Sequence, residues 1–91
     1  MIHVVAKNIV KSEDRQEFMA LANELVAETR KEDGCIYYQL VESIDNALDV
    51  AFLELWESEE ALKAHTLTPH YKRIVPKFLT MVYDSYVDRY K

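Results

Sequence analysis

The sequence contains one glycine, one cysteine and two prolines in 91 residues, and each scarcity excludes a class of protein. The lone Gly34 cannot supply a phosphate-cradling loop or a dinucleotide fingerprint, both of which need several glycines at fixed spacing. Cys35 has no second cysteine to pair with, so an internal disulfide is excluded, and neither Cys-x-x-Cys nor His-Glu-x-x-His occurs. There is no run of about 18 apolar residues and no charged-then-apolar leader; the expectation is a cytoplasmic chain with no membrane partner. Basic residues are also few: 11 Lys and Arg against 16 Asp and Glu give a net charge of −5. Such a field repels phosphate backbones, so nucleic acid is not an expected partner.

Apolar residues are plentiful at 49%, enough to offset the entropy of ordering the chain throughout. The length suits one domain over residues 1–91. A core of this size is marginal on its own, so further burial against a partner subunit is expected.

Ile2 to Val10 is β-branched and reads as a strand with Ile2, Val4, Ala6 and Asn8 on one face. Ser12, followed by Glu13 and Asp14, has the composition of a helix N-cap. Phe18, Leu21, Ala22, Leu25, Val26 and Thr29 then form one stripe of an amphipathic helix that runs to about Lys31. Gly34 sits where a helix end needs a residue tolerant of positive φ. Cys35 to Ser43 and Asp49 to Glu57 read as a hairpin, turned at Asp45-Asn46. Ser58 starts a second helix, Thr68-Pro69 restarts it, and Pro76 is expected to end or kink it. Thr80 to Tyr90 closes the chain as a strand.

The order β-α-β-β-α-β is the ferredoxin-like α+β unit, a four-stranded antiparallel sheet with both helices on one face. The hairpin strands are apolar on both faces. Ile36, Tyr38 and Leu40 are set against Tyr37 and Val41; Val50, Phe52 and Trp56 are set against Ala51, Leu53 and Leu55. One face would be left bare, which predicts a two-fold homodimer built sheet to sheet.

Several segments resemble the antibiotic-biosynthesis-monooxygenase family: the opening strand with Ala6, Arg30-Lys31-Glu32-Asp33-Gly34-Cys35, Tyr38, Glu54-Leu55-Trp56, and Ala64-His65-Thr66-Leu67-Thr68-Pro69-His70-Tyr71. A histidine nine residues after Trp56, then Thr-Pro-His-aromatic, is the most telling part. The resemblance implies a dimeric ferredoxin-like α/β barrel that oxidises a small quinol or phenolic substrate with O2 and uses no flavin, haem or metal cofactor. It equally spans isomerases of a phosphorylated autoinducer-like signal and non-catalytic small-molecule binders. The haem-degrading branch has an asparagine near the place of Asn8, but its tryptophan at the place of His65 and its axial histidine near Val75 are missing.

In such chemistry the protein supplies an apolar cavity, aromatic walls and a base. His65 is the candidate base, since imidazole titrates near working pH; the competing reading is a structural histidine bonded to a carbonyl or to Glu54. Asn8 could donate to a substrate oxygen or simply finish its strand. Trp56, Phe52, Tyr38 and Tyr71 are candidate walls, or ordinary core. His70 could bind an anionic substrate or assist His65, or be an exposed helix residue. Glu54 is a carboxylate in an apolar strand and needs a partner, either a histidine it orients or a group across a dimer. No metal site is expected from the histidines, because i and i+5 do not share a helical face and Pro69 lies between.

Overall fold

A computed structural model describes residues 1–91. The elements are β1 (Ile2–Val10), α1 (Arg15–Thr29), β2 (Cys35–Glu42), β3 (Asp49–Trp56), α2 (Glu59–Thr66), α3 (Pro69–Phe78) and β4 (Val82–Tyr90). The antiparallel sheet runs β2-β3-β1-β4, and the helices lie on one face. The fold is ferredoxin-like α+β. No helix is long and apolar enough to cross a membrane.

The alternation of side chains along the strands decides which face the helices cover. Val50, Phe52, Glu54 and Trp56 are buried while Ala51, Leu53 and Leu55 are only half-buried. β1 matches it, with Ile2 facing Trp56, Val4 facing Glu54 and Asn8 facing Val50. Phe18 from α1 meets Phe78 from α3 at 4.3 Å between ring centroids, and Phe78 stacks on Phe52 of the sheet at 5.9 Å. This aromatic column ties two helices to the sheet. The apolar stripe read from the sequence is the buried face of α1, with Phe18, Ala22, Leu25, Val26 and Thr29 inside.

Four local expectations are corrected. Ser12 does not cap α1: residues Ser12–Asp14 form a 3-10 turn, and the helix begins at Arg15 with no side-chain cap. The Ser12 hydroxyl turns to Glu13 Oε2 at 3.4 Å instead. The helix ends at Thr29, two residues early, where the Arg30 guanidinium reaches across to donate to Tyr38 O and Gln39 Oε1. Pro76 does not stop α3 at once: the helix continues two residues beyond it, to Phe78. Ile36 does not share the face of Tyr38. An irregularity between Cys35 and Tyr37 turns Ile36 and Tyr37 outward together, 48% and 50% exposed.

The two caps read from the second helical segment are formed. Ser58 Oγ accepts from Ala61 N at 3.1 Å, and Thr68 Oγ1 accepts from Tyr71 N at 3.3 Å. Thr68 also donates to His65 O at 2.8 Å. The break between α2 and α3 is therefore held in one geometry, and it turns the start of α3 back toward the end of α2. Gly34 has φ +83, and Glu57 N donates to its carbonyl at 2.8 Å.

The helices cover β1, β2 and β3 but leave β4 open. On its helix-side face β4 carries Ser85, Val87 and Arg89, in register with Asn8, Ala6 and Val4, and all three are exposed.

Candidate active site

Between the sheet and the two shorter helices lies a cavity of about 220 Å³. Its floor comes from β1 (Val4, Ala6, Asn8), β3 (Phe52, Glu54), Tyr38 of β2, and Ser85, Val87 and Arg89 of β4. Its roof comes from Leu62, His65 and Thr66 of α2 and from Tyr71, Val75 and Phe78 of α3. This volume exceeds the ~150 Å³ that takes up a benzene and falls short of the ~300 Å³ at which ordinary ligand pockets begin. It suits one or two fused rings.

His65 is the buried polar group of the roof, 2% exposed. Its Nδ1 lies 2.8 Å from Glu32 Oε2. A carboxylate can only accept, so Nδ1 carries the proton and Nε2 keeps the lone pair. No protein group bonds Nε2, yet the sole buried side-chain polar atom left unpartnered is Thr29 Oγ1. Nε2 is therefore reachable, and the residue lines the cavity. Burial pushes the imidazole pKa down while the Glu32 hydrogen bond and charge pull it up, and the net direction is down. The net shift favours the neutral ring. Trp56 at 4.7 Å, Tyr71 at 5.0 Å and Tyr38 at 5.5 Å between centroids fix its plane.

Glu32 is the partner of His65 that sequence reasoning missed. It lies in the turn between α1 and β2, 33 positions from His65, so no local pattern links them. The only signal was its place in the Arg30–Cys35 run. The alternative of His65 bonding Glu54 is corrected: Glu54 Oε1 instead accepts from Trp56 Nε1 at 2.9 Å. Glu54 still lines the cavity, and burial raises its carboxyl to about 7 despite that bond.

Two further site expectations are corrected. Trp56 is not a cavity wall. It is fully buried behind His65 and acts by packing that ring and by holding Glu54. His70 neither lines the cavity nor points to solvent; its Nε2 lies 2.6 Å from the same Glu32 Oε2. The break at Pro69 does not keep the two histidines apart: with Thr68 holding the turn, their ring centroids lie 6.3 Å from each other. Asn8, Tyr38, Phe52 and Tyr71 do line the cavity, and Asn8 Oδ1 accepts from Ser85 Oγ at 3.2 Å. Burial raises the Tyr38 and Tyr71 hydroxyl pKa values, with Glu54 adding to both, so both stay neutral donors. Cys35 is also pushed up by burial, as suits an inert thiol.

The site is thus an aromatic-walled cavity with a carboxylate-held imidazole in its roof, set on a ferredoxin-like sheet. Residues 1–77 match the family described as antibiotic biosynthesis monooxygenase, and the chain belongs to that family. It is 38% identical over 77 residues to "Putative monooxygenase YcnE" of Bacillus subtilis, a match covering 85% of this chain and 81% of that one. It is 34% identical over 70 residues to "Putative monooxygenase Rv0793" of Mycobacterium tuberculosis, covering 77% and 68%. Among solved structures, a conserved protein from Methanosarcina mazei Go1 superposes with TM-score 0.96 at 38% identity, over 99% of this chain and 90% of that one. A structure described as an antibiotic biosynthesis monooxygenase gives 0.95 at 30% identity, over 100% and 97%. These likenesses support a monooxygenase-like function.

Proposed function

We propose that the chain is a monooxygenase that oxidises a small phenol or quinol with O2 inside the cavity, the substrate's own phenolate supplying the electrons. One observation carries this reading: an imidazole whose tautomer Glu32 fixes, with Nε2 left free of any protein partner, lines an aromatic-walled cavity. His65 takes the phenolic proton. The electron-rich ring then reduces O2; one oxygen atom enters the ring to give a quinone and the other leaves as water, so a phenol and O2 become a quinone and H2O. Tyr38, Phe52 and Tyr71 orient the ring, Asn8 and Ser85 meet its oxygens, and Glu32 is a positioning residue.

The test is O2 uptake with a panel of reduced quinones and naphthols, in the native chain and in His65→Gln. Loss of a positioned base typically lowers turnover by about 10²-fold or more. Full turnover in the variant, with the fold retained, would remove His65 from the chemistry. Arg89, a cation beside the cavity, favours a second reading: an isomerase of a small phosphorylated signal using the same base. Solvent deuterium exchange into such a substrate, without O2 uptake, separates the two.

We further propose a homodimer formed through the open sheet face. That face carries His3, Val5, Leu53, Leu55, Ile36 and Tyr37 around a shallow depression, and Tyr86 and Tyr90 extend it at 52% and 57% exposure.

A further inference from the structure

We propose that Glu32, His65 and His70 form a binding site for a borderline divalent cation of the zinc, cobalt or nickel type, whose occupancy switches off the base function of His65. Each residue offers one donor atom, and the three donors lie within 4.8 Å of one another. His65 Nδ1 and His70 Nε2 both converge on Glu32 Oε2, at 2.8 and 2.6 Å.

The three come from separate places: the turn after α1, the last turn of α2 and the first turn of α3. Thr68 brings the histidines together by capping α3 and donating to His65 O across the break. In a tetrahedral site with bonds of about 2.1 Å, donors stand roughly 3.4 Å apart. Each of the two close contacts would thus open by less than about 1 Å to admit an ion. Two imidazoles and one carboxylate suit zinc, cobalt or nickel better than calcium or magnesium, which prefer all-oxygen cages. The ring of His65 is held by its aromatic neighbours, so part of the ordering is already in place. The His70 and Glu32 side chains keep 15% and 12% exposure, which leaves an approach from outside and room for water as a fourth ligand.

The ion would approach from the side opposite the cavity. Coordination by Nδ1 moves the proton of the neutral His65 ring to Nε2, and the cavity then faces a donor instead of a lone pair. This consequence rests on the base role proposed above, whereas the binding site does not.

The two are tested apart. Chelator-treated protein titrated with Co2+ should develop visible ligand-field bands that saturate at one ion per chain. With Zn2+, long-range nitrogen NMR should move the ring resonances of His65 and His70 and leave those of His3, the remaining histidine. His70→Ala and the more conservative His70→Gln should each weaken binding at least tenfold, while His3→Ala should bind normally. Unchanged Co2+ spectra at millimolar metal, or ring shifts confined to His3, would overturn the site whatever the enzyme does. Stoichiometric binding that leaves O2 uptake untouched would keep the site and overturn the switch. If no substrate is turned over, the NMR still decides the tautomer, since zinc must move the His65 proton to Nε2.

Discussion

Replacing Glu54 with glutamine isolates the cost of keeping a carboxyl on the covered face of the sheet. Glu54 is 9% exposed, and burial raises its pKa from 4.5 to about 7. In the unfolded chain the group ionises near 4.5; in the folded chain it stays protonated until about pH 7. Its favourable contribution is therefore fully present below pH 4.5 and is lost as pH rises from there through 7. At about 1.4 kcal/mol per pH unit, an interval of about 2.5 units corresponds to roughly 3 kcal/mol. Glutamine is neutral throughout, and its Oε1 can still accept from Trp56 Nε1. The stability of the native chain relative to Glu54→Gln should thus fall by about 3 kcal/mol between pH 4.5 and 7 and then level off. Urea unfolding measures this at fixed protein concentration, with Trp56, the only tryptophan, as the fluorophore. A difference between the two proteins that is constant from pH 4.5 to 8 would refute the reasoning, because it would mean that folding leaves the carboxyl where the unfolded chain has it.

Gly34→Ala should cost about 2 to 4 kcal/mol, since the residue has φ +83 and a Cβ there would lie 2.5 Å from the Ala61 Cβ; a thermal midpoint equal to that of the native chain would contradict this. Leu53→Asp, on the open sheet face, should halve the mass seen by light scattering at micromolar concentration and leave the far-ultraviolet dichroism unchanged. A native chain that is already monomeric there would end the dimer proposal.

The fold was largely legible because strand alternation and the i, i+3, i+4 stripe of α1 are direct imprints of a two-layer core. Details set by a single competing contact were not. Ser12 has the composition of a cap, but a 3-10 turn and Glu13 claim it. Ile36 follows the alternation by count, but the ladder irregularity shifts the count by one. Among the residues that line the cavity, Asn8 and Phe52 were nominated by strand alternation, which reports a shared face, and His65 by its imidazole and its place on the helix. Glu32 was lost because a turn has no period, and its meeting with two histidines on other elements depends on how α1 ends. Trp56 was assigned to the cavity by its face alone; the His65 ring packed against it could not be foreseen from spacing.

The bare helix-side face of β4 divides the cavity by sequence position. Glu32, His65 and the aromatic residues that hold the imidazole all fall within residues 1–77, the part matched by the family. Ser85, Val87 and Arg89 fall after it and border the same space. These β4 side chains stand at an open edge, where exchanging them disturbs little packing. Changing three alternate positions of the final strand would therefore reshape the border of the cavity while leaving the Glu32–His65 pair and its aromatic neighbours in place.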